Sequence, residues 1–237
     1  MSAIFDWNFA WSITPTLAAG ALVTFEATVI GFTVAVFVAL PLALARRSRS
    51  LLLARPIGFM VEFIRSTPLL IQVYFIFFVG PRFGITLPPM SAGLIAIGLY
   101  YGCFVSEVYR AALDGVPKGQ WEAVVALNLG RWRAYKDIIL PQAIPPMIPT
   151  LGNYLIDMFK ATPVLSVISV LEMMERAKLI GSETFRYTEP MTLVGVFFLI
   201  MTLASSLLVR RLERFFGAQR QRRSAADREA STNLASA

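Results

Sequence analysis

The chain has 237 residues, of which 56% are hydrophobic and 16% are charged, and its mean hydropathy is +0.62. That composition is too apolar for a soluble domain of this length and is typical of an integral membrane protein. Its net charge is +7, histidine is absent and Cys103 is the single cysteine. A disulfide within the chain and a His-based metal site are therefore excluded, and we expect no catalytic residues and no metal.

Long apolar runs predict an all-α membrane protein with about five transmembrane helices. A hydrocarbon core of about 30 Å needs about 20 residues of helix. Runs of suitable length lie near residues 18–45, 57–80, 88–112, 146–170 and 190–210. The fifth run has no charged side chain between Met191 and Val209, whereas the fourth contains Asp157, Lys160 and Pro163. Pro163 is expected to interrupt the backbone hydrogen bonds of the fourth helix.

The positions of Lys and Arg predict that the N-terminus is outside and the C-terminus is cytoplasmic. Most of these residues follow the first, third and fifth runs, and positive charge accumulates on the cytoplasmic side of membrane proteins. We therefore expect one transmembrane domain, residues 1–216, with a cytoplasmic loop at about 117–141. The polar residues 217–237 predict a disordered cytoplasmic tail that is attracted to membrane lipids.

The cytoplasmic loop contains an amphipathic segment. If residues 119–132 are helical, one face carries Trp121, Val124, Val125, Asn128, Leu129 and Trp132, whereas Glu122, Arg131 and Arg133 lie off it. An interfacial helix on the lipid headgroups would explain this pattern without a protein partner. A helix that docks on another protein would explain it equally well.

The loop contains Glu122–Val124, then Asn128 six residues after the Glu, then Ile138–Pro141. These residues and their spacing resemble the EAA loop of ABC-transporter permeases, a motif that opens with Glu-Ala-Ala, has a glycine six residues after the Glu, and ends with Ile-x-Leu-Pro. Asn128 replaces the glycine, and asparagine is one of the few other residues that tolerate a positive φ. Gly130, two residues later, is available for part of the bend.

The resemblance covers roughly residues 16 to 215 and is to permeases of polar amino acid uptake systems, typified by the histidine and glutamine transporters. Arg65–Gln72 resembles their Arg-Gly-Thr-Pro-Leu-Leu-x-Gln signature, and Glu107–Arg110 resembles their Ala-Glu-x-x-Arg segment. Residues 140–168 resemble their run from Leu-Pro-Gln-Ala to Ser-Val-Ile. Pro163 and Val164 depart from the usual Ser-Leu near the expected pore. A compatible solute such as ectoine is therefore an alternative substrate to an amino acid.

The resemblance implies a type I ABC importer permease in the bacterial inner membrane that transports without catalysing a reaction. The implied partners are a second permease chain, identical or paralogous, a cytoplasmic ATPase dimer and an extracytoplasmic solute-binding protein, with no nucleic acid. The chain has no Gly-x-x-x-x-Gly-Lys-Ser/Thr loop, so ATP-Mg is expected on the ATPase and no cofactor on this chain. The residues implied in coupling to the ATPase are Gln120, Glu122, Ala123, Leu127, Asn128 and Gly130.

Polar residues inside the spans are candidates for the substrate pathway, because a charge in the bilayer usually faces a cavity or a partner. The candidates are Lys160, Thr162, Asp157 and Glu26. The i, i+3 spacing of Asp157 and Lys160 would also allow the two to neutralise each other. An ion- or proton-coupled secondary transporter or channel that uses Glu26, Asp157 and Lys160 is the competing hypothesis. The chain has no inverted repeat, which argues against it.

Two further pairs of opposite charge lie toward the cytoplasmic ends of spans. These are Glu62 with Arg65 in the second span and Glu107 with Arg110 in the third. Both have i, i+3 spacing, which places the two side chains on one helix face. We expect them to act as structural pairs or as gates between spans.

Overall fold

The computed structural model describes residues 5–235, with the side chains of residues 5–214. The described elements are helices: α1 (Trp7–Arg46), α2 (Leu51–Ser66), α3 (Leu69–Tyr74), α4 (Pro89–Asp114), α5 (Lys118–Ala126), α6 (Arg131–Arg133), α7 (Leu140–Ala161), α8 (Met173–Thr184) and α9 (Thr188–Ala235). π-helical turns at Phe75–Val79 and Ala134–Ile139 follow α3 and α6. 3₁₀ segments span Gly80–Phe83 and Thr162–Ile168.

Three of the helices are long and apolar enough to cross a membrane, namely α1, α4 and residues Thr188–Arg214 of α9. Two bent pairs are the other candidate spans. Leu51–Ser66 meets Leu69–Phe83 at 106°, and Arg131–Ile168 meets Met173–Thr184 at 49°. The described chain therefore has five spans when each bent pair is counted as one. The predicted all-α membrane fold is confirmed, but the second and fourth spans are broken helices rather than continuous ones.

The predicted tail, residues 217–237, lies outside the residues whose side chains the structure describes. Its disorder therefore stays a prediction. The predicted orientation of the two termini stays a prediction as well.

The break in the second span lies at Thr67 and Pro68. Proline lacks an N–H and disfavours helical backbone at the residue before it, and Thr67 accordingly adopts an extended ψ of 140°. The side-chain amide of Gln72 donates to the carbonyl oxygens of Ile64 and Thr67 at 2.8 and 3.2 Å. Backbone carbonyls at membrane depth need such partners. Thr67 and Pro68 of the signature thus break the helix, and Gln72 of the same signature donates to the carbonyl oxygens that lack a helical partner.

Small residues allow α1 to pack closely along α4. Buried Ala27, Gly31, Ala35, Ala39 and Ala43 recur every fourth residue on α1. On α4, Gly98 lies against Val34 and Gly102 lies against Val38. Close approach over small residues is a usual packing mode of membrane helices. Residue numbers increase in the same direction on both helices along this contact. α1 and α4 are therefore parallel, and their C-terminal ends lie together.

A polar cluster joins the other end of α1 to the turn before α9. The guanidinium of Arg186 lies 3.3 Å from the Asp6 carboxylate and 2.6 Å from that of Glu189. Asp6 also accepts hydrogen bonds from the backbone N–H groups of Asn8 and Phe9, which caps α1. The N–H of Phe9 and the guanidinium of Arg186 hold the pKa of Asp6 below its ordinary value.

Candidate functional site

The loop between α4 and α7 is built from α5, a left-handed turn and α6. The turn is a Schellman motif, in which the N–H of Leu129 donates to the carbonyl of Val124 at 3.1 Å and that of Asn128 to the carbonyl of Val125 at 3.0 Å. Asn128 has a φ of +48°. Glycine is favoured in this conformation and asparagine tolerates it. The replacement of the motif glycine by Asn128 therefore keeps the turn.

The condition for the amphipathic face, a helix over residues 119–132, is not met. α5 ends at Ala126, because the left-handed backbone at Asn128 reverses the chain, and helix resumes only at Arg131. The single amphipathic face is lost as a result. Trp121, Val124 and Leu129 are partly buried, whereas Val125 and Trp132 are 78% and 77% exposed.

The residues predicted to couple to an ATPase are all exposed in this loop: Gln120, Glu122, Ala123, Leu127, Asn128 and Gly130. Leu127 is 68% exposed and Val125 is 78% exposed. An open pocket of about 430 Å³ is lined by Trp121, Glu122, Val125 and Ala126. Exposed apolar side chains around a shallow pocket are typical of a protein interaction site.

Trp121 fixes α5 against the helix bundle. Its ring lies 5.8 Å from that of Tyr135 in an edge-to-face arrangement. It packs on a cluster of buried side chains from α4, the loop and α7: Leu113, Val116, Ile139, Ala143 and Met147. The side-chain amide of Gln142 on α7 donates to the side-chain oxygen of Gln120 on α5 at 3.2 Å, which joins the two helices. The exposed loop is therefore held in a defined position.

α7 presents a polar face that the described chain leaves open. Exposed positions recur every three or four residues: Gln142, Pro146, Pro149, Asn153, Asp157 and Lys160. The opposite side is buried and includes Met147 and Met158. Polar residues in a membrane helix face water, a cavity or a partner rather than lipid. This face is therefore the candidate wall of a pathway.

Asp157 and Lys160 do not neutralise each other in this structure. The Asp157 carboxylate accepts a hydrogen bond of 3.0 Å from the hydroxyl of Tyr101 on α4. The ion pairs between described side chains do not include Lys160. Of the two alternatives, the i, i+3 pairing is not formed among the described side chains, and both residues lie exposed on the polar face, with Asp157 bonded to Tyr101.

The other two pathway candidates differ in exposure. Thr162 is fully buried, and its hydroxyl donates to the carbonyl of Phe159 at 2.7 Å. It begins the 3₁₀ segment where Pro163 ends α7. Glu26 is exposed on α1. The ring of its neighbour Phe25 lies 6.1 Å from that of Phe159, which places Glu26 near the level of Lys160 along the bundle.

The structure also forms both expected charge pairs. Arg65 lies 3.3 Å from Glu62, and Arg110 lies 2.9 Å from Glu107. The guanidinium of Arg65 also lies 4.9 Å from the ring centre of Phe104, although its buried Nε has no hydrogen-bond partner among the described residues. Glu107 has a second partner, Arg46 of α1, which was not predicted from the sequence. Whether either pair acts as a gate stays a prediction.

Glu172, which was not predicted from the sequence, is fully buried between the 3₁₀ segment and α8. Its carboxylate accepts a 2.7 Å hydrogen bond from the N–H of Glu175 and lies 3.5 Å from the hydroxyl of Thr24 on α1. It therefore caps α8 and contacts α1. An acidic residue immediately before a helix was the available signal.

A polar helix face inside an otherwise apolar bundle is the architecture of a membrane transport protein. Residues 31–217 match the family described as "Binding-protein-dependent transport system inner membrane component", and the chain belongs to this family. It is thus a multi-pass transport subunit of the inner membrane, with the type I ABC importer permease fold, and not an enzyme.

Curated relatives agree with this assignment. The chain is 44% identical over 202 residues to the "Probable amino-acid ABC transporter permease protein y4tG" of Sinorhizobium fredii, covering 85% of this chain and 87% of the relative. It is 35% identical over 212 residues to the glutamine transport system permease of Escherichia coli, covering 89% and 97%. It is 34% identical over 209 residues to the L-cystine transport system permease of Bacillus subtilis, covering 86% and 89%.

Solved structures show the same fold. An amino acid ABC transporter, crystallised with histidines, matches 89% of this chain and 98% of its own with a TM-score of 0.82 and 32% identity. The inward-facing MetNI methionine ABC transporter matches 90% of this chain and 99% of its own, with a TM-score of 0.67 and 18% identity. The second likeness concerns the fold alone.

Proposed function

We propose that this chain forms, with a second permease chain, the translocation pathway for polar amino acids or amino-acid-like solutes. A cytoplasmic ATPase dimer that binds ATP-Mg would drive transport through the loop around α5. A solute-binding protein would deliver the substrate from outside. The named substrates of the relatives, glutamine and L-cystine, support the amino acid class. The observation that carries the proposal is the exposed, rigidly held EAA-like loop.

The docking part of this proposal rests on the surface of α5. Glu122 and Ala123 are exposed, and the small side chain of Ala123 allows close approach of a partner. Val125 and Leu127 supply apolar surface beside the open pocket. Burying exposed aliphatic side chains of this kind is favourable, and a protein partner that covers them would gain that free energy. A headgroup-lying helix would instead bury these residues in lipid, which is the competing interpretation.

The pathway part rests on the polar face of α7. Lys160 supplies a cationic group and Asp157 a carboxylate on one helix face. This combination matches the carboxylate and ammonium groups of a zwitterion. The same chemistry fits an amino acid or a compatible solute such as ectoine, so competition assays must decide between them. An N-terminus outside and a C-terminus in the cytoplasm would place α5 on the side where ATP is available.

Co-purification of the tagged chain with its ATPase tests the docking. Ala123→Trp should abolish recovery of the ATPase, because an indole there prevents close approach, and Glu122→Lys should weaken it. Ala111→Trp is the matched control, since Ala111 is also exposed but lies on α4 outside the loop. Equal recovery of the ATPase with Ala123→Trp and Ala111→Trp would refute docking through α5.

Uptake by the complete transporter in proteoliposomes tests the pathway. Lys160→Gln should lower substrate uptake by about 10-fold or more, since a hydrogen bond to a charged group contributes roughly 1.5–3 kcal/mol. Uptake should require ATP. Transport by the isolated chain under an ion gradient would instead favour the secondary transporter. Competition by glutamine, L-cystine and ectoine then ranks the substrate classes.

A further inference from the structure

Alternating charges connect the C-terminal ends of α1 and α4. Arg46 pairs with Glu107, and Glu107 lies 2.9 Å from Arg110. Arg110 in turn lies 3.1 Å from Asp114, and Asp114 lies 2.9 Å from Arg47. Five side chains thus run from α1 to α4 and back to α1. Because α1 and α4 also pack through small residues, their ends form one rigid unit.

Arg47 extends this network to α5. Its guanidinium carbon lies 5.4 Å from the ring centre of Trp121, within the range of a cation–π contact. Trp121 anchors α5 on Tyr135 and on the cluster that includes the start of α7. Arg47 therefore contacts the end of α4 through Asp114 and α5 through Trp121. Of the three cation–π contacts among the described residues, the one made by Arg47 is the one that involves a ring of the loop.

The chemistry of arginine suits this double contact. A planar guanidinium can stack on an indole through its face while its edge donates to a carboxylate. Lysine has a compact ammonium and cannot do both equally well. The Arg47 side chain is 23% exposed and that of Asp114 is 46% exposed. Partly exposed ion pairs contribute little to stability, so the position of Arg47 is better explained by the geometry that it maintains.

Building on the proposed function, we propose that Arg47 is a positioning residue that transmits displacement of α5 to the paired ends of α1 and α4. When the ATPase moves α5, Trp121 moves with it. The contact through Arg47 makes α1 and α4 follow as a rigid body. Without this contact α5 would still dock and would still contact α4 through the apolar cluster that includes Leu113, but it would lose its contact with the end of α1 through Arg47.

The test compares ATP hydrolysis with uptake by the complete transporter in proteoliposomes. Arg47→Gln should retain the ATPase on co-purification and keep hydrolysis within about twofold of wild type. Substrate transported per ATP should fall at least fivefold, and Arg47→Lys should restore part of it. Arg49→Gln is the matched control, because Arg49 is exposed two residues away and has no described ion-pair partner. It should transport like wild type.

A second substitution makes the test specific. Trp121→Leu should also lower transport per ATP, and combining it with Arg47→Gln should add little, because both remove the same contact. A normal transport ratio in Arg47→Gln would overturn the proposal. Loss of the bound ATPase in Arg47→Gln would also overturn it, since Arg47 would then belong to the docking surface. Failure of wild type to retain the ATPase would instead refute the proposed function itself.

Discussion

Replacing Gly98 by alanine is expected to force α1 and α4 apart. An ideal Cβ at this position would lie 2.5 Å from Cγ1 and 2.9 Å from Cβ of Val34. Rotation of the Val34 side chain can move Cγ1 away, but the backbone fixes its Cβ. Carbon atoms pack at about 3.5–4.0 Å, so the helices must separate by roughly 1 Å. Overpacking of this kind costs about 1–3 kcal/mol.

Thermal unfolding of the purified protein in detergent measures this effect. For a chain of this size each kcal/mol shifts the midpoint by roughly 2–4 °C, so Gly98→Ala should lower it by several degrees. Gly195→Ala on α9 is the matched control, because no atom lies within 4 Å of its ideal Cβ. Alanine is the better helix former by up to about 1 kcal/mol, so the control should unfold at an equal or higher temperature. Equal midpoints for the two variants would refute close packing at Gly98.

Two further predictions concern the ends of the bundle. Asn128→Gly should retain the ATPase, because glycine accepts the φ of +48°. Asn128→Val should lose the ATPase, because valine in this conformation is strained by about 1–2 kcal/mol. Equal co-purification of the ATPase with the two variants would contradict this prediction. The pKa of Asp6 is lowered in the folded protein, chiefly by the N–H of Phe9, so its contribution to stability is present above the ordinary value of 3.8 and is lost as the pH falls through the folded pKa. The melting temperature of wild type should exceed that of Asp6→Asn by a constant amount from pH 8 to about pH 5, and this difference should shrink below pH 3.8. A difference that grows on acidification would argue against a stabilising role of the Asp6 cluster.

Hydropathy predicted the spans well but could not predict the bends. Averaged over about 20 residues, the apolar run at 57–80 looks continuous. In the structure this run bends by 106° at Thr67 and Pro68, and the side-chain amide of Gln72 donates a hydrogen bond to a carbonyl that the bend leaves without a helical partner. Pro68 was visible in the sequence, but the hydrogen bonds of Gln72 to Ile64 and Thr67 form only when the backbone has bent, and so they could not be predicted. Pro163 was more informative, because it marks where α7 ends and 3₁₀ geometry begins.

The charged residues show a similar limit. Pairs three residues apart, Glu62 with Arg65 and Glu107 with Arg110, could be predicted because helical geometry alone brings them together. The partner of Asp157, however, is Tyr101, which is 56 residues away in the sequence. Contacts of this kind depend on which helices become neighbours. A single sequence contains no direct signal for that choice.

The placement of charge along α1 connects the fold to the proposed mechanism. At one end Asp6 joins the cluster around Arg186, and at the other Arg46 and Arg47 join α4. Between these ends the contact with α4 consists of small and apolar side chains, which tolerate little separation. α1 is thus fixed to α4 at one end and to the turn before α9 at the other, and along its close contact with α4 the two helices should move as one body. A displacement applied near Trp121 would therefore reach the opposite side of the bundle, where Asp6 and Arg186 lie.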